Sequence, residues 1–202
     1  MVAVIIIVII VLLLAAFAVV GFNKLRKSDI GAQEALGGID VQLTRRAELI
    51  PNLVETVKGY AAHEKGVFEE VTAARTQVAT AAKGDDVAAK AAADAALQGA
   101  LVRVNAVAEN YPDLKANTNF LELQKQLAGT EDQLSFARQY YNDAVATLNK
   151  AVQTLPWMFF TGVAGVHKRD FYEAPVGQQA QPQVDFGTGT TTPPPPAAPA
   201  GS

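Results

Sequence analysis

A three-four repeat of apolar residues constrains this chain more than any other feature. It runs Leu36, Ile39, Leu43, Arg46, Ile50, Leu53, Val57, Tyr60, Glu64, Val67, Val71, Ala74, Val78. That spacing sets one residue per turn on a single stripe, as in a coiled coil or a long bundle. A strand period of two is excluded. A second repeat runs Phe120, Leu123, Leu127, Thr130, Leu134, Ala137, Tyr141, Ala144, Leu148, Ala151, Leu155. Between them an alanine-rich stretch leads to Leu97, Leu101, Val104 and Ala108. Sparse aromatics and abundant alanine also suit helices better than sheets. The expected fold is all-α, an elongated antiparallel helical bundle with short connections.

Two seam positions, Arg46 and Glu64, break the apolar pattern, and Pro51 lies beside the seam. Pro51 lacks the N–H that would bond the Ala47 carbonyl, and its ring crowds that carbonyl. A helix restarting at Pro51 would have Ile50 as its cap, which offers no side-chain acceptor. A kinked but continuous helix through Pro51 is therefore expected. Arg46 has Gln42, Leu43, Leu49 and Ile50 as its neighbours one turn away, none of them acidic. Either its guanidinium snorkels from the seam edge, or it meets an acid on another helix, for which Glu131 and Asp143 are candidates. Glu64 is the second charged seam position. Gly59 weakens the same helix, so a packing reason for it is expected.

The polar turn at residues 81–86 ends this helix, and Asp85 and Asp86 suit the cap and first turn of the next. Tyr111-Pro112 stops the second helix. Asn119 with Glu122 three residues later reads as a capping box for the third. Pro156 ends that one.

Val2 to Val20 contains no polar residue, and Gly21 and Phe22 continue the run. It is long enough to cross a hydrocarbon core of about 30 Å. Ala16-Phe17-Ala18 resembles a signal cleavage site, but no Lys or Arg precedes the run, and a retained anchor is the favoured reading. Lys24, Arg26 and Lys27 follow directly. By the positive-inside bias they put the amino terminus outside and the bulk of the chain in the cytoplasm of a single-pass cell-membrane protein. The expected organisation is a transmembrane anchor at 1–22, a helical bundle at 23–174 and a tail at 175–202. That tail is rich in Pro, Gly and Thr, and is expected to be disordered. Its proline run Pro193–Pro196 could meet a polyproline reader, but a spacer role is preferred.

Leu155 to Phe160 is the densest aromatic cluster, and Trp157, Phe159 and Phe160 are its candidate interaction residues. Three readings stay open: an interfacial membrane contact, a partner surface, or a cap on the bundle end. An unbroken first helix would extend about 80 Å from the membrane. The second helix would return only part of that distance and the third would run outward again. That geometry sets the cluster far from the membrane and favours the cap or the partner surface.

No catalytic, cofactor-binding or metal-ligating residue is identified. The chain has no cysteine, no glycine-rich phosphate loop, no HExxH and no nucleophile elbow. No Glu-x-x-His occurs, which argues against a di-metal bundle. His63 and His167 are isolated, and the net charge of −3 gives no field for nucleic acid.

The stretches IDVQLTRRAELIPNLVETVKGYAAHE (39–64), NFLELQKQL (119–127) and RQYYND (138–143) together resemble the LemA family. The resemblance covers about Phe22 to Ala174. It implies an amino-terminal membrane helix, a small extracellular amino terminus and an elongated cytoplasmic helical bundle. It brings no enzymatic activity with it. Some relatives take part in shaping organelle membranes, and others are encoded beside membrane metalloproteases. The expected function is a membrane-anchored non-enzymatic scaffold. It would contact the lipid bilayer through residues 2–22 and self-assemble as a homo-oligomer or recruit partners. The alternative is an adaptor for a membrane-bound protease.

Overall fold

The computed structural model describes residues 1–173, so the expected disordered tail at 175–202 lies outside the described residues. Among the described residues every regular element is helical, as the seam period predicts. Four helices build the body: α1 (Val2–Lys58), α2 (Lys65–Ala81), α3 (Val87–Asn110) and α5 (Thr118–Gln153). A single turn, α4 (Pro112–Lys115), links α3 to α5. A 3-10 turn (Trp157–Phe160) and the short α6 (Thr161–Ala164) follow α5.

The first helix runs through two environments without a break. Residues 2–20 are exposed, and a buried stripe begins at Gly21 and Leu25. The stripe then follows the predicted seam through Leu36, Ile39, Leu43, Arg46, Ile50, Leu53 and Val57. Pro51 lies inside α1, so the helix is continuous there as expected. Its missing donor is replaced from α2, because Arg75 Nε donates to the Ala47 carbonyl at 3.0 Å. That is the carbonyl Pro51 cannot satisfy.

The expected unbroken strut to Val78 is not what forms. The helix ends at Lys58, and the amides of Tyr60 and Ala61 both bond the Val57 carbonyl, closing it off. Gly59 is the residue after the last turn, and a Cβ there would meet only the Thr56 carbonyl oxygen, at 3.4 Å, so no other element packs on it. Tyr60 is exposed rather than in the seam. The chain turns over residues 59–64, and α2 runs back along α1. Lys58 sits over the Phe68 ring, and Arg75 reaches Ala47. The seam period survives this reversal because each arm of a hairpin buries its own three-four stripe. Periodicity alone therefore could not report the turn.

The next helix, α3, runs outward again from Asp86, whose carboxylate accepts from the amides of Ala88 and Ala89. The last long helix returns. Its cap is Asn117, which accepts from the Phe120 amide at 3.0 Å. The expected cap Asn119 is instead the second residue of the helix. The Asn117 side chain also donates to Tyr60 Oη at 2.9 Å, tying the start of α5 to the 59–64 turn. The result is an up-down-up-down bundle in which α1 packs most extensively on α5, and α2 on α3.

After α6 the chain doubles back as an extended strap, residues 166–173, along α5. Two asparagines hold it. Asn149 donates to the Arg169 carbonyl and accepts from the Arg169 amide, at 2.9 and 3.0 Å. Asn142 does the same for Tyr172, at 3.1 and 2.8 Å. Seven residues of helix and three of extended chain both span about 10 Å. The spacing of the asparagines thus matches the spacing of the strap residues they grip. Arg169 adds bonds to Asp29 at 2.9 Å and Gln33 at 2.7 Å on α1.

Candidate functional site

Two places concentrate unusual chemistry. The first is a buried ion cluster at mid-bundle. Arg46 is 1% exposed. Its Nη1 lies 2.6 Å from Asp94 Oδ1 on α3 and 2.7 Å from Glu131 Oε2 on α5, and its Nη2 donates to Gln98 at 2.6 Å. Of the two acids proposed from sequence, Glu131 is therefore in contact. The other, Asp143, borders a surface hollow with Ser28 and Gly31 and does not reach Arg46. Asp94 was not anticipated. It also accepts from Arg138 and stands 3.4 Å from Tyr172 Oη, and the Arg138 guanidinium sits over the Tyr172 ring. Two guanidiniums and two carboxylates balance in charge.

Asp94 was legible in principle. Val87, Lys90, Asp94, Leu97, Leu101, Val104 and Ala108 form a three-four stripe, so two opposite charges occupy seam positions of α3. Lys90 is fully buried and pairs with Asp40 on α1. Since the partners are about fifty residues apart in both pairs, these charges define one register of α3 against α1. Burial raises the Asp94 carboxyl above its ordinary range, against the opposing pull of Arg138 and Arg46. Burial likewise raises Asp40, against Lys90. Burial and the Asp94 charge push the Tyr172 phenol well above its usual value.

A cleft of about 480 Å³ opens between α3 and α5 above this cluster. Arg46 forms its floor, with Gln98, Asn105, Gln124 and Glu131 on the walls. Gln124 donates to Asn105 across it at 3.0 Å. The charged groups at its base face one another, and none is arranged as a nucleophile with an adjacent base. Among the described residues no group of three or more His, Asp or Glu side chains is placed to hold a metal ion.

Glu64 lies away from the cluster. It is half-buried in the 59–64 turn, directly before α2, and makes no side-chain capping bond.

The second place is the aromatic segment after α5, and here the sequence expectation is overturned. The segment was expected far from the membrane end. It packs instead on α1 at the end of the apolar run. Trp157 stacks on Phe17 with centroids 6.2 Å apart, and Lys24 Nζ lies 4.2 Å from the Trp157 ring centroid. Phe160 meets Phe17 edge-on at 5.5 Å. Gly21 makes this approach possible, because a Cβ there would stand 2.4 Å from the Phe160 ring. The physical reason for the correction is the turn at 59–64. One additional reversal makes α5 run toward the anchor rather than away from it. Phe159 points outward and is 72% exposed.

The LemA family model matches residues 35–186. Magnetosome protein MamQ of Magnetospirillum gryphiswaldense is 27% identical over 170 residues, 72% of this chain and 62% of that protein. Magnetosome protein MamQ 2 of Paramagnetospirillum magneticum is 26% identical, over 68% of this chain and 60% of that protein. Protein LemA of Metamycoplasma hominis is 26% identical, over 82% of this chain and 73% of that protein. The chain thus spans about three fifths of the length of the magnetosome relatives it matches.

Proposed function

The chain belongs to the LemA family, and from that premise we propose that it is a membrane-anchored, non-enzymatic scaffold that self-assembles at the membrane. Membrane association follows from the long apolar amino-terminal helix, taken together with the family. The observation that carries the proposal is that anchor and bundle share one helix. The apolar stretch passes into the bundle core inside α1 without a hinge, so the body stands rigidly on whatever holds the anchor. Retention of the anchor is supported by Phe17, on which Trp157 and Phe160 pack. Cleavage after Ala18 would remove that surface. We place the bundle on the cytoplasmic side, following Lys24, Arg26 and Lys27.

Self-assembly is supported by the outer face of α5. Phe136 and Tyr140 lie one turn apart there and are 72% and 67% exposed. Adjacent exposed aromatics on a rigid helix suit a protein contact better than solvent. The full chain, purified in detergent, is expected to elute as large assemblies and to show them by negative-stain imaging. The double substitution Phe136→Ser, Tyr140→Ser is expected to reduce them to small species. A wild-type chain that stays monomeric contradicts the scaffold reading and leaves an adaptor for a membrane protease as its replacement.

A further inference from the structure

We propose that the segment Leu155–Val166 is a lipid-binding wedge, seated in the interfacial zone of the same leaflet from which α1 emerges. The inference rests on the membrane anchoring of α1 and goes beyond it. The segment contains no charged residue. It is fixed against α1 at three levels: Phe17, Gly21 and Lys24. Those levels span seven residues, or about 10 Å along the helix axis. When the apolar run of α1 lies in hydrocarbon, the segment reaches from the headgroup level inward by that distance. This is the depth at which amphipathic elements lie in a membrane interface, about 5–10 Å.

The exposed side chains fit that position. Leu155, Met158, Phe159 and Val163 are 66%, 44%, 72% and 79% exposed. They continue the exposed apolar surface of residues 2–20 sideways, away from the helix. The inner ring atoms of Trp157 and Phe160 are spent on α1, while the outer residues have no protein neighbour to bury them. Above this band the surface becomes basic. Lys24, Arg26, Lys27 and Lys168 are all exposed, at the level where lipid phosphates would stand. An aromatic cluster at the apolar edge with cations above it is the arrangement that a membrane interface selects. The strap and its asparagine grips hold the far end of the segment to α5 and α1, so the wedge cannot swing free of the anchor.

The test uses the full chain in phosphatidylcholine–phosphatidylglycerol vesicles and exploits the absence of native cysteine. Four single variants, Ile10→Cys, Phe159→Cys, Val163→Cys and Glu109→Cys, are labelled with a nitroxide. Collision rates with oxygen and with a water-soluble nickel complex are then compared. The oxygen-to-nickel ratio at 159 and 163 is expected to exceed that at the exposed bundle site 109 at least several-fold, and to fall below that at 10. A water-like ratio at 159 and 163, beside a lipid-like ratio at 10, overturns the wedge and leaves the anchor standing. Labels at 159 and 163 shielded from both reagents mark a second protein copy over the segment and also overturn it. A water-like ratio at 10 overturns the anchoring and the wedge together.

Discussion

At the scale of single residues, the mostly apolar bundle core contains a few buried charges. Arg46 touches carboxylates on two other helices, one of them nearly fully buried. Removing one member of a buried pair leaves an uncompensated charge, which is costlier than the pair is worth. Arg46→Ala is expected to lower unfolding stability by about 3–5 kcal/mol. In double-mutant cycles read by denaturant unfolding, Arg46 should couple strongly to Asp94. It should couple by only about 1 kcal/mol to Glu131, whose side chain is more than a third exposed. Equal coupling to both would mean that burial does not decide the strength.

Pro51 has a comparable dependency. Arg75 supplies the donor that proline removes from the Ala47 carbonyl. Arg75→Met keeps the aliphatic stem and loses that bond, and should destabilise by about 1.5–3 kcal/mol. In a Pro51→Ala background the peptide N–H returns and can serve Ala47 itself. The same Arg75→Met change should then cost less than about 1 kcal/mol. An undiminished loss in that background would separate Arg75 from Pro51.

Tyr172 gives a pH signature. Its phenol is raised by burial and by the Asp94 charge. The unfolded phenol loses its proton near pH 10 while the folded one keeps it. A raised value means that the stabilisation is fully present below the unfolded value and is lost as pH rises through the folded one. Stability should therefore fall above about pH 10, and Tyr172→Phe should flatten part of that fall. Urea melts at pH 9 and 11 measure it, and parallel losses in both proteins would contradict the assignment.

At the scale of elements, the strap is the least conventional piece. Asn142 and Asn149 hold a chain with no helical hydrogen bonds of its own. Asn149→Ala removes two bonds worth about 1 kcal/mol each. The Arg169 amide should then exchange with deuterium about tenfold faster or more, with the middle of α5 unchanged. Unchanged protection at Arg169 would mean that its bonds to α1 suffice to hold the strap.

The helices themselves were largely legible in the sequence, because seam spacing, the acidic pair Asp85-Asp86 before α3 and the prolines at 112 and 156 all act locally. The turn at 59–64 was not, since no proline marks it and both arms keep the same period. The cluster was half legible. Arg46 and Glu131 could be matched as lone seam charges, whereas Asp94 lay hidden in an alanine-rich run whose stripe was read only from Leu97 onward. The strap was not legible at all. It depends on side-chain amides meeting backbone across the bundle, and no periodicity reports that.

At the scale of the whole molecule, one local turn decides where the aromatic segment lies. A straight first helix would carry the aromatic segment away from the membrane and leave a spacer standing on an anchor. With the reversal, the chain's entry into the bundle on α1 and its exit after α5 meet at Gly21. Under the proposed seating, a body fixed at two points would resist tilting and hold the outer face of α5 at a constant angle to the membrane. Ile30 lies nine residues beyond Gly21 on α1, about 14 Å along the axis. Both Ile30 and Val163 are exposed and can carry labels. The most direct test is a pulsed electron-paramagnetic-resonance distance in the vesicle-embedded full chain, labelled at Ile30→Cys and Val163→Cys. The two labels should lie about 15–30 Å apart, the axial offset plus the width of the helix pair. A distance beyond about 45 Å would place the segment at the far end of the bundle and contradict the account.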